Sequence, residues 1–514
     1  MDSSTETPFS ALHNALHCVG LNLVPSPTKH RMLVATRTLH AGSTLLREPA
    51  LAYIPIGNVC HFCLLSPASA IQTNRSPSLQ RCSGCHRAAY CSVACQRKDW
   101  SAGHKIVCAG LKVLAKTTLD NPNAYNDIAM LCKVVHRLLQ SPPHSGQDDQ
   151  QRIHCSTYAD PGRDQDDDMA AIIRSSQPMV FLSLQSHLKD PVGHLDYPHF
   201  HTDTHRHEME RIRALVSPAL AEAIGLPPAE LVGHLGRFTC NNFTVDDMHL
   251  FPIAEGTFPF ASLFNHDCWP NCIVLFEGTT LVIRSLRPIH IGEEVCISYV
   301  DPILERTDRR NRLKEKYCFE CCCQRCNDDS SHSLESIHAI FNSSAQDTPK
   351  HPTDSLEDHD VFGWDKLEWL IKHQEEDGFC NQFDRARIKK SPKGEVPNTI
   401  TPPHFNLNAL TVASVAFQDY LSSQNWRMAY TRGIYVLGIY LMLYPRYYPL
   451  VSVHAFLVAQ CLWNEGQTEK TILLLLTVQK WVSISHGLNV KSNLLIEQVA
   501  SLLSDALKEK RSMK

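Results

Sequence analysis

Three stretches early in the chain, 32–36, 44–47 and 51–54, carry the β-branched and aliphatic residues of short strands. An Ala41-Gly42 turn separates the first two, and Glu48-Pro49 reads as a break before the third. Apolar spacing turns helical at 124–140, 169–188 and 208–235, then strand-like again at 272–276, 280–286 and 295–299. From 405 to 507 the spacing is helical throughout. Breaks at Ser422-Ser423, Tyr444-Pro445, Glu465-Gly466 and His486-Gly487 divide that region into four or five helices of about 20 residues, the pattern of stacked helical hairpins. Two stretches pack poorly by composition. Residues 141–168, rich in Pro, Gln and Asp, read as a surface loop; residues 328–403 read as a linker or accessory segment with one helix around 364–373. The fold class expected is α+β, a β core split by a helical insertion and followed by an all-α C-terminal part.

Composition narrows this picture. The chain has 514 residues, and at about 100–200 residues per domain that means about three to five structural units. A formal net charge of −4 gives no global basic field, so composition does not call for direct DNA binding. The first ten residues lack the basic and apolar regions of a signal peptide, and no uncharged apolar run reaches the roughly 18 residues of a membrane span. A soluble intracellular monomer with no membrane partner is expected. With 21 cysteines in such a chain, thiolate metal ligands are expected rather than disulfides.

Spacing supports that reading. Cys60-x2-Cys63, Cys82-x2-Cys85, Cys91-x3-Cys95 and His104-x3-Cys108 give eight ligands in four pairs, enough for two tetrahedral zinc ions. So short a segment with few aliphatic residues would need metal binding to fold. A second candidate, Cys321, Cys323 and Cys326, is one ligand short of a closed site. Cys268 is a natural fourth, while Cys318 and Cys322 read as spare thiols.

The cysteine block, with Tyr90-Cys91-Ser92, Cys95-Gln96 and Trp100, closely resembles a MYND zinc finger. That resemblance implies interleaved sites, Cys60, Cys63, Cys91 and Cys95 on one ion and Cys82, Cys85, His104 and Cys108 on the other, and partners such as proline-containing peptides. Asn265-His266-Asp267-Cys268-Trp269-Pro270-Asn271, followed by Gly292-Glu293-Glu294 and Ile297-Ser298-Tyr299, resembles the signature of SET-domain lysine methyltransferases. Together the two place the chain with the SET and MYND domain-containing family. In that family Cys268, Cys321, Cys323 and Cys326 would bind a third, post-SET zinc.

The resemblance implies S-adenosylmethionine as cofactor and protein lysine, on a histone tail or another peptide, as substrate. Tyr299 would be the catalytic residue, orienting the lysine amine. Asn265 and His266 would contact the cofactor, Asn241 of Cys240-Asn241-Asn242-Phe243 would lie near its carboxylate, and Phe243, Tyr299 and Tyr317 would line the lysine channel. Tyr317 would also border the cofactor, and Phe319 would stack on adenine. One element departs: His30 and Met32 stand where the family carries Gly-x-Gly, and side chains there would crowd the donor, although Lys29 or Arg31 could pair with its carboxylate. Gln185 and His187 are weaker cofactor candidates. The competing class is a non-catalytic adaptor using the finger and C-terminal helices.

The implied division is 20–59 for the first part of the SET domain, 60–108 for the MYND finger and 109–233 for the helical insertion. It continues with 234–303 for the SET core, 304–327 for the zinc tail, 328–403 for the linker and 404–510 for a tetratricopeptide-like helical domain. A cytoplasmic and nuclear location is expected. The histidines at 194, 199, 201, 205 and 207 lack paired-ligand regularity and read as a solvated loop, and the basic run 385–393 as solvated surface.

Overall fold

The computed structural model describes residues 19–65, 78–114, 122–140, 165–184, 210–247, 250–327, 364–373, 407–487 and 494–513, apart from 212, together with 13, 16 and 17. Gln185, His187, the histidines at 194–207 and the basic run 385–393 lie outside them.

The chain first lays down β1 (Leu21–Ser26), β2 (His30–Ala35), β3 (Thr44–Pro49) and β4 (Ala52–Pro55). β1 and β2 form an antiparallel hairpin that places Leu21 opposite Ala35. The strand at 21–26 was not anticipated. Its Pro25 and Ser26 dilute the apolar alternation on which a strand assignment rests. Pro49 does not break β3, because it closes the strand, where a missing N–H costs little.

The chain then leaves the β core for a block built on cysteines, with β5 (Gln80–Arg81), β6 (Ala89–Tyr90) and α1 (Val93–Asp99). Ser92 caps α1 by accepting from Cys95 N–H, 3.2 Å away. This block has its own small core of Cys60, Cys82, Ala88, Tyr90 and Cys108. Helix α2 (Lys105–Leu114) carries the chain without interruption past residue 108 into the insertion. At Gly103 the backbone takes φ +121°, and a Cβ would stand 2.5 Å from the His136 ring, so only glycine lets the block sit this close to the insertion.

The insertion contributes α3 (Pro122–Gln140), α4 (Gln165–Ser183), α5 (Pro218–Ile224) and α6 (Pro228–Asn241). α4 starts at Gln165, so residues 165–168 are helical rather than part of the polar loop. These helices do not form a separate layer. Leu131, Val134, Phe181 and Leu235 share one core with Leu33, Leu45, Ile283 and Val295 of the β region.

After α6 come β7 (Asn242–Asp246), β8 (Pro252–Thr257), β9 (Asn265–His266), β10 (Cys272–Glu277), β11 (Thr280–Ser285) and β12 (Cys296–Ile297). The sheets cross the insertion. β4 joins β8 and β7, β3 joins β11 and β10, and β9 pairs with β12 in parallel. Helix α7 (Arg306–Tyr317) follows, ending at Cys318 in the left-handed region, φ 57°. Past the short turn of helix α8 (Gln324–Asn327) and α9 (Trp364–His373) come α10 (Leu407–Ser422), α11 (Trp426–Leu443), α12 (Pro449–Asn464), α13 (Thr468–Ser485) and α14 (Leu494–Ser512).

The last five helices pack in sequence order, each on the next, as hairpins do, and their ends fall at the expected breaks. Their core takes in Ile273 and Leu286 from the β region. The Arg284 Nε–H donates to Ile484 O at 3.1 Å, which fixes α13 against β11.

Glu48 is fully buried. Burial pushes its carboxyl up to about 7 against three hydrogen bonds that favour the charge. The folded protein therefore keeps a proton to about pH 7 that an unfolded carboxyl releases near 4.5. Stability is greatest below that window and falls as pH rises through it, by roughly 3 kcal/mol in all. Urea unfolding of wild type and Glu48→Gln should diverge by that amount across the window; a constant difference would refute the shift.

Candidate functional site

Three groups of ligands come together. Cys60, Cys63, Cys91 and Cys95 form the first; Cys82, Cys85, His104 and Cys108 the second; Cys268, Cys321, Cys323 and Cys326 the third. Within each group the ligand atoms lie within 4.8 Å of one another. Tetrahedral zinc at about 2.3 Å from each sulfur needs an edge of about 3.8 Å. The Cys63–Cys91 and Cys91–Cys95 sulfurs are 3.6 Å apart, and Cys268 lies 3.8 Å from Cys321 and 3.5 Å from Cys326. The donor sets and spacings fit zinc, so the interleaved pairing implied by the resemblance is the grouping the chain adopts.

Supporting residues were not read from the sequence. His104 turns Nε2 toward Cys85 Sγ at 3.7 Å and Nδ1 toward Asp99, also 3.7 Å. Asp99 is itself held by Tyr90 Oη–H at 2.8 Å and Lys133 Nζ at 3.3 Å. Burial lowers the His104 pKa, favouring the neutral ring that a metal needs. At the third group, buried Arg309 points Nη2 at Cys326 Sγ, 3.7 Å away, and Arg325 donates to Cys268 O at 3.2 Å. Four thiolates and one zinc would leave two negative charges, which these guanidiniums offset. Cys322 is exposed and, like Cys318, stands outside the group. Elemental analysis should give about three zinc ions per chain; two or fewer would remove one of these sites.

Next to the third group is a cluster of polar and aromatic side chains around His266. The parallel pairing of β9 with β12 sets Asn265 beside Cys296 and His266 beside Ile297. Asn271 clamps this pairing: its amide donates to Glu294 O and its carbonyl accepts from Cys296 N–H, both at 2.8 Å. Asn265 Nδ2 donates to Arg31 O at 2.7 Å and Glu294 Oε1 at 2.8 Å. Glu294 also pairs with Lys29 at 2.7 Å. Arg31 donates to Leu263 O at 2.6 Å and Ser262 O at 3.1 Å.

Tyr299, half-buried, donates its hydroxyl to Phe264 O at 2.5 Å. Burial raises its pKa above the usual phenol value, so it stays protonated. Its backbone N–H donates to His266 Nδ1 at 3.0 Å, which leaves His266 Nε2 to donate to Cys268 Sγ at 3.1 Å. Burial pushes His266 down to about 3, so the ring is neutral. Tyr317 lies 4.8 Å from Tyr299 between ring centres, and Phe319 lies 6.1 Å from His266 and 6.4 Å from Tyr299.

Asn241 meets the turn that holds Arg31, its backbone carbonyl accepting from Ser262 Oγ–H at 3.3 Å. Asn241 Nδ2 donates to Arg237 O at 2.7 Å, and Phe243 packs edge-on to Phe258 at 5.9 Å. His30 takes φ 62°, the left-handed geometry that a glycine would adopt freely, and its side chain is exposed. Met32 is half-buried.

The donor set suits a zwitterionic amino-acid moiety: Lys29 and Arg31 for a carboxylate, Glu294 and the Asn265 carbonyl for an ammonium, and the Phe319 face for a base. The SET domain family matches residues 30–300. The bovine N-lysine methyltransferase SMYD2 is 29% identical over 60% of this chain and 60% of its own length. The human histone-lysine N-methyltransferase SMYD3 is 25% identical over 92% of this chain and 94% of its own. A solved SET domain of LSMT bound to lysine and AdoHcy aligns at 11% identity over 98% of this chain and 93% of its own, with a TM-score of 0.26. The fold is that of a SET-domain protein. The chain belongs to that family, and within it to the SET and MYND domain-containing group. It spans about 60% of the length of the SMYD2 relatives it matches.

Proposed function

We propose that the protein is an S-adenosylmethionine-dependent protein-lysine N-methyltransferase acting on histone or other protein lysines. The observation supporting this reading is that Tyr299, Asn265, His266 and the Lys29-Arg31-Glu294 group cluster together, with the Tyr317 and Phe319 rings beside Tyr299. When bound, the cofactor would supply an electrophilic methyl on a sulfonium.

The chain's own part is positioning. Lys29 and Arg31 would hold the donor carboxylate, Asn265 its amino end and Phe319 its base. Tyr299 and Tyr317 would line the channel for the lysine, with Phe243 further along it and Asn241 nearer the donor. No strong general base is required: a desolvated channel beside a positive sulfonium lowers the pKa of the lysine, and the Tyr299 hydroxyl orients its lone pair along the line of displacement.

The three cysteine groups would carry zinc. The first two would fold the MYND finger, whose Val93 and Trp100 are exposed and suit a partner such as a proline-containing peptide. None of the described helices is long and apolar enough to cross a membrane, and a cytoplasmic and nuclear location belongs to the same proposal. Calorimetric titration of zinc-loaded protein with S-adenosylmethionine should show one-site binding. Absence of heat at high protein concentration would instead favour the adaptor, in which finger and helices recruit partners.

A further inference from the structure

We propose that Glu48 is a positioning residue for this site: its carboxylate fixes the amide end of the short turn whose carbonyl end holds Arg31 and Tyr299. The proposal rests on the methyl-transfer reading of Tyr299. Glu48 lies on β3, inside the core and outside the cluster around His266, and no expected role in the reaction includes it.

The connection is a sequence of hydrogen bonds through one turn, Ala261–Leu263. At its start, Glu48 Oε1 accepts from Phe260 N–H at 3.1 Å and Oε2 accepts from Ala261 N–H at 2.8 Å. At its end, three successive carbonyls are claimed by the site: Ser262 O and Leu263 O by Arg31, and Phe264 O by the Tyr299 hydroxyl. Moving the first end of so short a turn moves the second. Glu48 thus sets where the Tyr299 oxygen and the Arg31 guanidinium stand without touching either.

A carboxylate suits the task because it offers acceptors only. Its third donor is Gln177 Nε2 at 2.9 Å, which also donates to Pro49 O at 2.6 Å. A glutamine at 48 would match the volume but would aim an NH2 at N–H donors, leaving at least one of them unpaired. Gln177 belongs to α4, so the insertion helix and the turn are joined through the same carboxylate. A charge this deeply buried is costly. If Glu48 were needed only for packing, the neutral isostere would serve as well or better.

The test is Glu48→Gln in full-length, zinc-loaded protein at pH 8. The melting temperature should hold or rise, because a buried charge is removed, while kcat for methyl transfer to a lysine peptide falls roughly tenfold or more. In protein carrying tyrosine labelled with carbon-13 at the hydroxyl-bearing ring carbon, the resonance that disappears in Tyr299→Phe should move in Glu48→Gln. An unmoved resonance, or a moved one with unchanged kcat, would overturn the proposal. Absence of methyl transfer in wild type would remove the methyltransferase reading alone, and the resonance would still decide whether Glu48 positions Tyr299.

Discussion

Replacing Cys268 with Ser is expected to remove one zinc ion per chain and to weaken S-adenosylmethionine binding by about 10- to 100-fold. Cys268 is the one ligand of its group that comes from the β core; Cys321, Cys323 and Cys326 all lie on the tail. A serine hydroxyl is not a thiolate, so the substitution both breaks the metal site and unfastens the tail from the core. Tyr317 is the last residue of α7, and Phe319 lies between α7 and these ligands. They reach Tyr299 and His266 only while the tail is held, and their rings pack with Leu313 around the third group. A base stacked on an aromatic ring is worth about 1–3 kcal/mol, and losing it gives the stated range. Cys322→Ser is the control. Its sulfur is exposed and outside the group, so zinc content and cofactor affinity should not change. Unchanged zinc content and affinity in Cys268→Ser would separate the tail cluster from the cofactor site.

How much of this arrangement the sequence discloses depends on the distance over which each signal acts. Paired cysteines at spacings of two and three residues declare their chemistry locally, and the C-terminal helices declare their ends through Gly, Pro and Ser at each break. The signature from Asn265 to Asn271 can be read in the same way, as a resemblance. What stays hidden is carried by single residues far apart in the chain. Arg309 backs a sulfur at 326, Asp99 steers His104 while held by Lys133, and Glu48 meets amides at 260 and 261. Each is an ordinary charged residue whose role exists only once burial removes water from it. Strands β7 and β8 escaped for a related reason. Gly256 and the polar residues along β8 hide a strand that earns its place by pairing with β4 and β7. At His30 the sequence shows a departure from glycine but not the positive φ that the residue adopts at the start of β2.

Tyr299→Phe should lower kcat for lysine methylation by about 10²-fold or more while S-adenosylmethionine still binds within a few-fold of wild type. The ring would remain, and with it the packing against Tyr317, Phe319 and His266 at 4.8, 6.4 and 5.4 Å. The backbone N–H to His266 Nδ1 would also remain, so β9, β12 and the tail keep their places. Only the hydroxyl goes. Its loss leaves Phe264 O without this donor, at a cost of about 1–3 kcal/mol in stability, small enough for the variant to fold. Because burial holds the phenol protonated, the hydroxyl acts as a fixed dipole and not as a base. The effect should accordingly fall on kcat rather than on cofactor affinity, and the shape of the pH profile should not change. Measuring the two constants together separates the possibilities. Equal losses in both would mean that the ring cluster had collapsed, and an unchanged kcat would take Tyr299 out of the reaction, leaving the site to bind its cofactor without orienting a lysine.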